Sequence, residues 1–408
     1  MRDMKIQENS PGLSDVPGFR VAGVACDIRG QGDGRLDLAL VSSASPCGAA
    51  AVFTRNRVAA APVALSRELL GRGKAFHGIV ANSGNANACT GKDGMSDAKT
   101  MARLAEQGMG APPGSVFVGS TGRIGRLLPI DRVEAGIREA VVNLASTPEQ
   151  GERAADAILT SDTCRKTITV RFEHEGRPVT VAGMAKGAGM IQPDMATMLA
   201  FIATDLTAPP AVLQEMLNAA VAASYNAITV DGDMSTNDTA ILLANGESGV
   251  RLTEGEGELT RKFRAALGAV NDCLAEKIVS DGEKITKVVE VLVTGAADDS
   301  DAEKVARTIG NSLLVKTSWY GEDPNWGRLA SSAGASGAVF DPERMDLFYN
   351  DVPVLSSGVP QPENLARWRE IVRRKKFTVR LDLHTGRGSF RLLATDLTEG
   401  YVTYNMSE

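Results

Sequence analysis

The apolar residues of this 408-residue chain change period again and again, and that switching narrows its fold more than any other feature. TITVRF and PVTVAGM alternate apolar and polar residues on either side of HEGRP, a period of two that predicts a β-hairpin. DRVEAGIREAVVNLA instead puts Val133, Ile137, Val141 and Leu144 on one helical stripe behind a candidate cap at Asp131. The helical period returns in PAVLQEMLNAAVAAS and in TRKFRAALGAVNDCLAEKIV, where Phe263, Leu267, Val270, Leu274 and Ile278 share a face. LDLALV, AAAVF, APVAL, HGIVA, SVFVG, MLAFIA, KVVEVLVTG and FTVRLDLHTG read as strands. NGESGVRLTEGEGE and VPVLSSGVPQPENL read as surface loops, and RWREIVRRKK as a solvated helix face. Strands and helices interleaved over this length predict an α/β (α+β) fold with an attached lobe.

Charge and composition exclude several functions. A net charge of −6 and a pI near 5.4 argue against a nucleic-acid partner, which calls for a basic face. The polar start MRDMKIQENSPG and the shortness of every apolar run predict no membrane span and a cytoplasmic location. Five scattered cysteines, none in a C-x-x-C pair, predict reduced thiols and no zinc site. With three histidines the chain is poorly supplied for Ser-His-Asp or histidine-metal chemistry, so no metal is expected. DGDMSTNDT begins like a calcium loop, but Thr236 replaces the turn glycine and Leu242 the closing glutamate. GSTGRIG lacks the lysine of a P-loop and KGAGM does not complete a dinucleotide fingerprint, so no nucleotide cofactor is expected. Forty-two glycines fit a site lined partly by main chain.

One segment combines the parts of a nucleophile: a Gly-rich bend from Lys186 to Gly189, a proline at 193, then Ala196, Thr197 and an apolar strand. A threonine hydroxyl needs a base, and its own α-amine becomes one if the chain is cut before it. That amine titrates at about 7.7 to 8.0, so no histidine is required. The local pattern fits equally a threonine that merely opens a strand.

The words around this segment resemble the ornithine acetyltransferase (glutamate N-acetyltransferase) family: GFRVAGVACDIR, AAAVFTRNRVAAAPV, VANSGNANACTG, STGRIG, SDT, MAKGAGMIQPDMATMLAFIATD, ITVDGDMSTNDTAILLANG, LVKTSWYGEDPNWGR and DLTEGYVTYN. The resemblance implies an Ntn-like αββα sandwich with an additional α/β lobe, self-cleaved between Ala196 and Thr197 into an α chain (1–196) and a β chain (197–408) that pair as an α2β2 heterotetramer. Thr197 matches the family nucleophile. Thr121 and Gly122 match its oxyanion hole, and Thr160, Lys186, Thr197, Glu283 and Asn405 its substrate contacts. The implied reaction moves an acetyl group from N2-acetylornithine to glutamate for arginine biosynthesis, and some members also take acetyl-CoA as donor. Lys186 suits a substrate carboxylate and Glu283 a substrate ammonium. Taken singly, Lys186 also reads as a loop lysine and Glu283 as a helix-end carboxylate. For Asp231, Asp233, Asn237 and Asp238, and for Glu322, Asp323 and Trp326, turn-forming and packing roles stand beside functional ones.

The chain departs from the usual family pattern at Arg123 (valine in most members), at GEKITK (usually GEGATK, placing Lys284 at a glycine position), at Asp194 (usually asparagine) and in a tail that stops three residues after Asn405. Two other readings share these features: a related Ntn-type amidohydrolase or aminopeptidase, and a paralogue with shifted specificity.

Overall fold

Alternation along the strands decides the layering. The computed structural model describes residues 4–192 and 198–406. These fall into two units, one from the described parts of 1–187, 193–226 and 233–278, the other from those of 188–192, 227–232 and 279–408.

The first unit contains strands β1 (Lys5–Glu8), β2 (Phe19–Val24), β3 (Leu38–Phe53), β4 (Phe76–Asn82), β5 (Val116–Ser120), β6 (Lys166–His174), β7 (Arg177–Lys186), β8 (Leu199–Thr204) and β9 (Thr239–Ala244). Their order is β1-β6-β7-β8-β9-β3-β4-β5, with β2 also paired to β3. β3 makes this possible because it is long. Its first half pairs with β2 and β4, its second with β9, and the β4 register shifts between Ser42 and Cys47. The two halves of the sheet meet face to face: a Cβ on Gly119 of β5 would lie 3.2 Å from the Phe201 ring of β8.

Among the described residues, six α-helices flank the sheets: α1 (Ala61–Gly71), α2 (Gly91–Met109), α3 (Ile130–Val142), α4 (Pro148–Ala157), α5 (Pro210–Ala223) and α6 (Glu258–Ser280). α1 and α2 pack on β5, α3 on β3, and α5 on β3 and β9. Along β8, Leu199, Phe201 and Ala203 join the core shared with Val80 and Val118. Ile202 points the other way, toward Val270 and Leu274 of α6, which approach so closely that a Cβ on Gly183 would sit 2.8 Å from Leu274. The five apolar residues predicted on one face of α6 are all buried. Burying each large apolar side chain stabilises by roughly 1.5–3 kcal/mol, so this stripe is what fixes the helix to its sheet. The layers thus run helix, sheet, sheet, helix, the αββα order expected.

The second unit carries β10 (Val288–Ala296), β11 (Asp346–Tyr349), β12 (Val352–Ser356), β13 (Val359–Pro360), β14 (Lys376–Asp382) and β15 (Gly388–Thr395), ordered β13-β12-β11-β14-β10-β15. Only β10 and β14 pair in parallel among the described strands of this sheet. Helices α7 (Asp299–Asn311), α8 (Leu313–Tyr320), α9 (Trp326–Gly334), α10 (Leu365–Val372) and α11 (Glu399–Asn405) complete it, with α7 against β10 and β15. This is the additional α/β lobe. No helix among the described residues is long and apolar enough to cross a membrane.

Several local expectations need correction. APVAL opens helix α1, because Pro62 presets the first turn and Val63, Leu65 and Leu69 bury one helical face. No element is expected over GKDGMSDAKTMARLAEQGM, whose apolar stripe is diluted by charges; it forms helix α2 and ends on left-handed Gly110. VPVLSSGVP is a hairpin: Ser357 and Gly358 both take positive φ, which suits the twist of a two-residue turn. Asp131 lies in the first turn of α3 while Pro129 holds the cap position, and Trp368, Ile371 and Val372 bury one side of RWREIV.

Candidate active site

Three loops meet at the carboxyl ends of β4 and β5. The Thr121 N–H donates to the Asn82 carbonyl at 3.0 Å, the Ala86 N–H to Arg123 at 2.9 Å, and the Ser120 hydroxyl to Asn82 Oδ1 at 2.6 Å. The buried Asn237 amide, just before β9, donates to the Ala86 carbonyl at 2.6 Å and to the Ser120 carbonyl at 2.8 Å. One side chain therefore locks both loops. Gly122 has φ +131°, and a Cβ there would lie 2.4 Å from the Gly84 carbonyl carbon, so the backbone passage admits only glycine. Thr121 is buried, while Gly122 and Arg123 are exposed.

β7 brings Lys186 to the same place, because its last residue pairs with Leu199 at the start of β8. Lys186 Nζ donates to Thr121 Oγ1 at 3.2 Å. Behind it, Asp162 accepts from Lys166 Nζ at 2.7 Å, from the Gly187 N–H at 2.6 Å and from the Thr160 N–H at 3.0 Å, with Lys186 Nζ at 4.0 Å. Burial alone would raise this carboxyl, but the Lys186 and Lys166 ammoniums outweigh it and hold Asp162 well below the usual carboxylate range. The Thr160 carbonyl is fixed by Arg35 at 2.6 Å. At the start of β8 the Met198 N–H donates to Asp238 Oδ1 at 2.7 Å. Burial pushes Asp238 up, against the pull of Lys186.

The second unit groups the other predicted contacts. Asn405 Nδ2, at the end of α11, donates to Glu283 Oε2 at 3.1 Å. The Glu283 N–H donates to the Ala188 carbonyl at 3.0 Å, and a Cβ on Gly189 would lie 2.3 Å from the Glu283 carboxyl carbon. Lys284 has φ +55°, its Nζ lies 5.2 Å from the centre of the Tyr404 ring, and its carbonyl accepts from Thr398 at 2.7 Å. Asp231 accepts from the Met190 and Ile191 N–H groups at 2.6 and 2.8 Å and from the Tyr401 hydroxyl at 3.2 Å.

The structure thus brings Thr121, Gly122, Thr160 and Lys186 together in the first unit, and Glu283 with Asn405 in the second. The expected nucleophile Thr197, the Ala196 before it and Asp194 lie outside the described residues.

The ArgJ family profile matches residues 20–407, nearly the whole chain. The chain belongs to the ArgJ family. The arginine biosynthesis bifunctional protein ArgJ of Symbiobacterium thermophilum is 48% identical over 97% of this chain and 98% of its own, and that of Geobacter sulfurreducens 45% identical over 96% and 98%. The chain is also similar to two solved structures at 35% identity: ArgJ of Bacillus halodurans, over 48% of this chain and 98% of that one with a TM-score of 0.44, and ornithine acetyltransferase of Mycobacterium tuberculosis complexed with ornithine, over 48% and 99% with a TM-score of 0.43.

Sequence reasoning passed over Asp162, which sits inside the SDT word yet organises Thr160, Lys166, Lys186 and Gly187. It left Asn237 undecided between turn and function. Spacing could not reveal either role, since Asp162 reaches forward to Lys186 and Gly187 and Asn237 reaches back to Ser120 and Ala86.

Proposed function

We propose that the protein is an ornithine acetyltransferase (glutamate N-acetyltransferase) that cleaves itself between Ala196 and Thr197 and carries the acetyl group on the Thr197 hydroxyl. Membership of a family of bifunctional arginine-biosynthesis proteins supports the substrate class. The observation that carries the chemistry is the pairing of a buried threonine hydroxyl, Thr121, with the exposed, glycine-only passage at Gly122, held at the mouth of the strand that Thr197 precedes.

In this reading scission frees the Thr197 α-amine, which takes the hydroxyl proton as the oxygen attacks the acetyl carbonyl of N2-acetylornithine. The Thr121 hydroxyl and Gly122 N–H stabilise the charge that collects on the carbonyl oxygen, each such donor being worth ~3 kcal/mol of barrier. Ornithine leaves, the amine of glutamate attacks the acetyl-threonine ester, and N-acetylglutamate departs. Lys186 pairs with a substrate carboxylate, Glu283 and Asn405 with the amino-acid amine end, and Thr160 completes the contacts. No cofactor takes part, although acetyl-CoA is a candidate donor. The halves 1–196 and 197–408 of one copy stay associated, a reading supported by β8 of the second half lying between β7 of the first and β9; two such pairs would form the α2β2 assembly that the resemblance implies.

A denaturing gel with N-terminal sequencing tests the scission: two bands are expected, one of them beginning at Thr197, and Thr197→Ala should leave one band and no transfer. Incubation with glutamate and either N2-acetylornithine or acetyl-CoA tests the reaction. Absence of N-acetylglutamate with both donors overturns the assigned substrates, and acetate release without an acceptor points to a hydrolase.

A further inference from the structure

A lysine ammonium donates hydrogen bonds and cannot accept one. The 3.2 Å contact between Lys186 Nζ and Thr121 Oγ1 therefore has a single direction: the hydroxyl oxygen accepts, and its own hydrogen must point elsewhere. Unlike an isolated hydroxyl, which turns to suit whatever is nearby, this one is committed to donating into the space it faces. A donor that itself accepts from a cation in a low-dielectric site also donates more strongly.

The contacts behind Lys186 fix its direction. The Asp162 side chain is fully buried and divides its two oxygens. Oδ1 takes Lys166 Nζ at 2.7 Å and the Gly187 N–H at 2.6 Å, and Oδ2 takes the Thr160 N–H at 3.0 Å and faces Lys186 Nζ at 4.0 Å. Lys166 Nζ has a further acceptor, the Cys164 carbonyl at 3.2 Å. Lys166 is taken up by Asp162 Oδ1 and the Cys164 carbonyl, whereas Lys186 Nζ stands farther from Asp162 and is directed at Thr121. Pairing with a substrate carboxylate would need only the ammonium, and would not need a neutral hydroxyl within hydrogen-bond reach of it.

We infer that Lys186, anchored by Asp162, is a positioning residue for Thr121: it orients and polarises the hydroxyl as a one-way donor to the developing oxyanion, a task separate from holding a substrate carboxylate. The inference rests on the oxyanion role proposed above for Thr121.

p-Nitrophenyl acetate separates the two tasks, since it needs an oxyanion hole but carries neither a carboxylate nor an amine. Ester turnover is measured for the wild type, Lys186→Met, Lys186→Arg, Thr121→Val and the double variant Lys186→Met/Thr121→Val, each normalised to the cleaved fraction on a denaturing gel. Lys186→Met should lower kcat about tenfold or more, the loss of part of one oriented donor, and Lys186→Arg should restore most of it. In the Thr121→Val background the same change should cost less than about threefold, since residues acting as one unit do not add. Wild-type ester turnover in Lys186→Met, or losses that multiply in the double variant, overturns the inference. Ester turnover without transfer between N2-acetylornithine and glutamate sinks the substrate assignment and leaves the inference standing. A wild type inert toward the ester overturns both the oxyanion hole and Lys186's part in it.

Discussion

The Thr121 end of the first unit and the Glu283 end of the second both gather predicted contacts, but they are built by different physics. At Thr121 the charges are buried, and every polar partner is fixed by another: Asp162 by Lys166 and two N–H groups, Ser120 by Asn82, two loop carbonyls by Asn237. At Glu283 one amide meets one carboxylate, and Asn405 lies exposed at the end of a seven-residue helix. Buried charge without a partner costs several kcal/mol, whereas an exposed pair contributes about 1 kcal/mol or less. The first region can therefore hold an atom to a direction, as developing charge requires. The second can be altered more cheaply.

The sharpest way to break the comparison is Gly122→Ala. Its Cβ would sit 2.4 Å from backbone carbon, so the loops must part and acetyl transfer should fall more than about 10³-fold, beyond the loss of a single donor. Near-normal transfer would show that the loops are not rigid.

Acid unfolding comes next. Asp162 is held below its unfolded value, so its contribution is present above about pH 4 and is lost as pH falls through that range toward its folded value. Asp162→Asn, which leaves two buried lysines short of a counter-charge, should destabilise the protein by about 3 kcal/mol at neutral pH. Its melting temperature should then fall less than that of the wild type between pH 5 and pH 3. Parallel curves would remove Asp162 from its central place.

Asn405→Ala deletes one exposed contact, so KM for the amino-acid substrate should rise up to about tenfold with kcat little changed. A kcat loss as large as that of Gly122→Ala would put the two regions on equal footing.

The smallest effect belongs to Lys284. Glycine there relieves the left-handed backbone but gives up the Tyr404 contact, two terms of about 1 kcal/mol each. Lys284→Gly should leave the melting temperature nearly unchanged, while Lys284→Ala, which keeps the strain and loses the contact, should lower it. The reverse order would mean that the left-handed backbone at this position costs nothing.

Much of this was legible in the sequence, and for a definite reason. Period determines secondary structure locally, so the β6–β7 hairpin, the buried strand MLAFIA and the stripe of α6 follow from residues within a few positions of one another. Short apolar runs carry no such information. APVAL is a helix and VPVLSSGVP a hairpin because of a proline at a first turn and two left-handed residues, features that count only once neighbours bury one face. The family words pointed to Thr121, Gly122, Thr160 and Lys186, and the structure adds why they need company.

By itself, then, the sequence determined the class of fold, the family and the residues capable of chemistry, because period and residue type are local properties. Only the tertiary structure decided that Lys186 faces Thr121, that Asp162 stands behind Lys186, and that Asn237 locks two distant loops. Those contacts join positions 24 (186 − 162) to 151 residues apart, and the direction of a hydrogen bond exists only when both of its ends are in place.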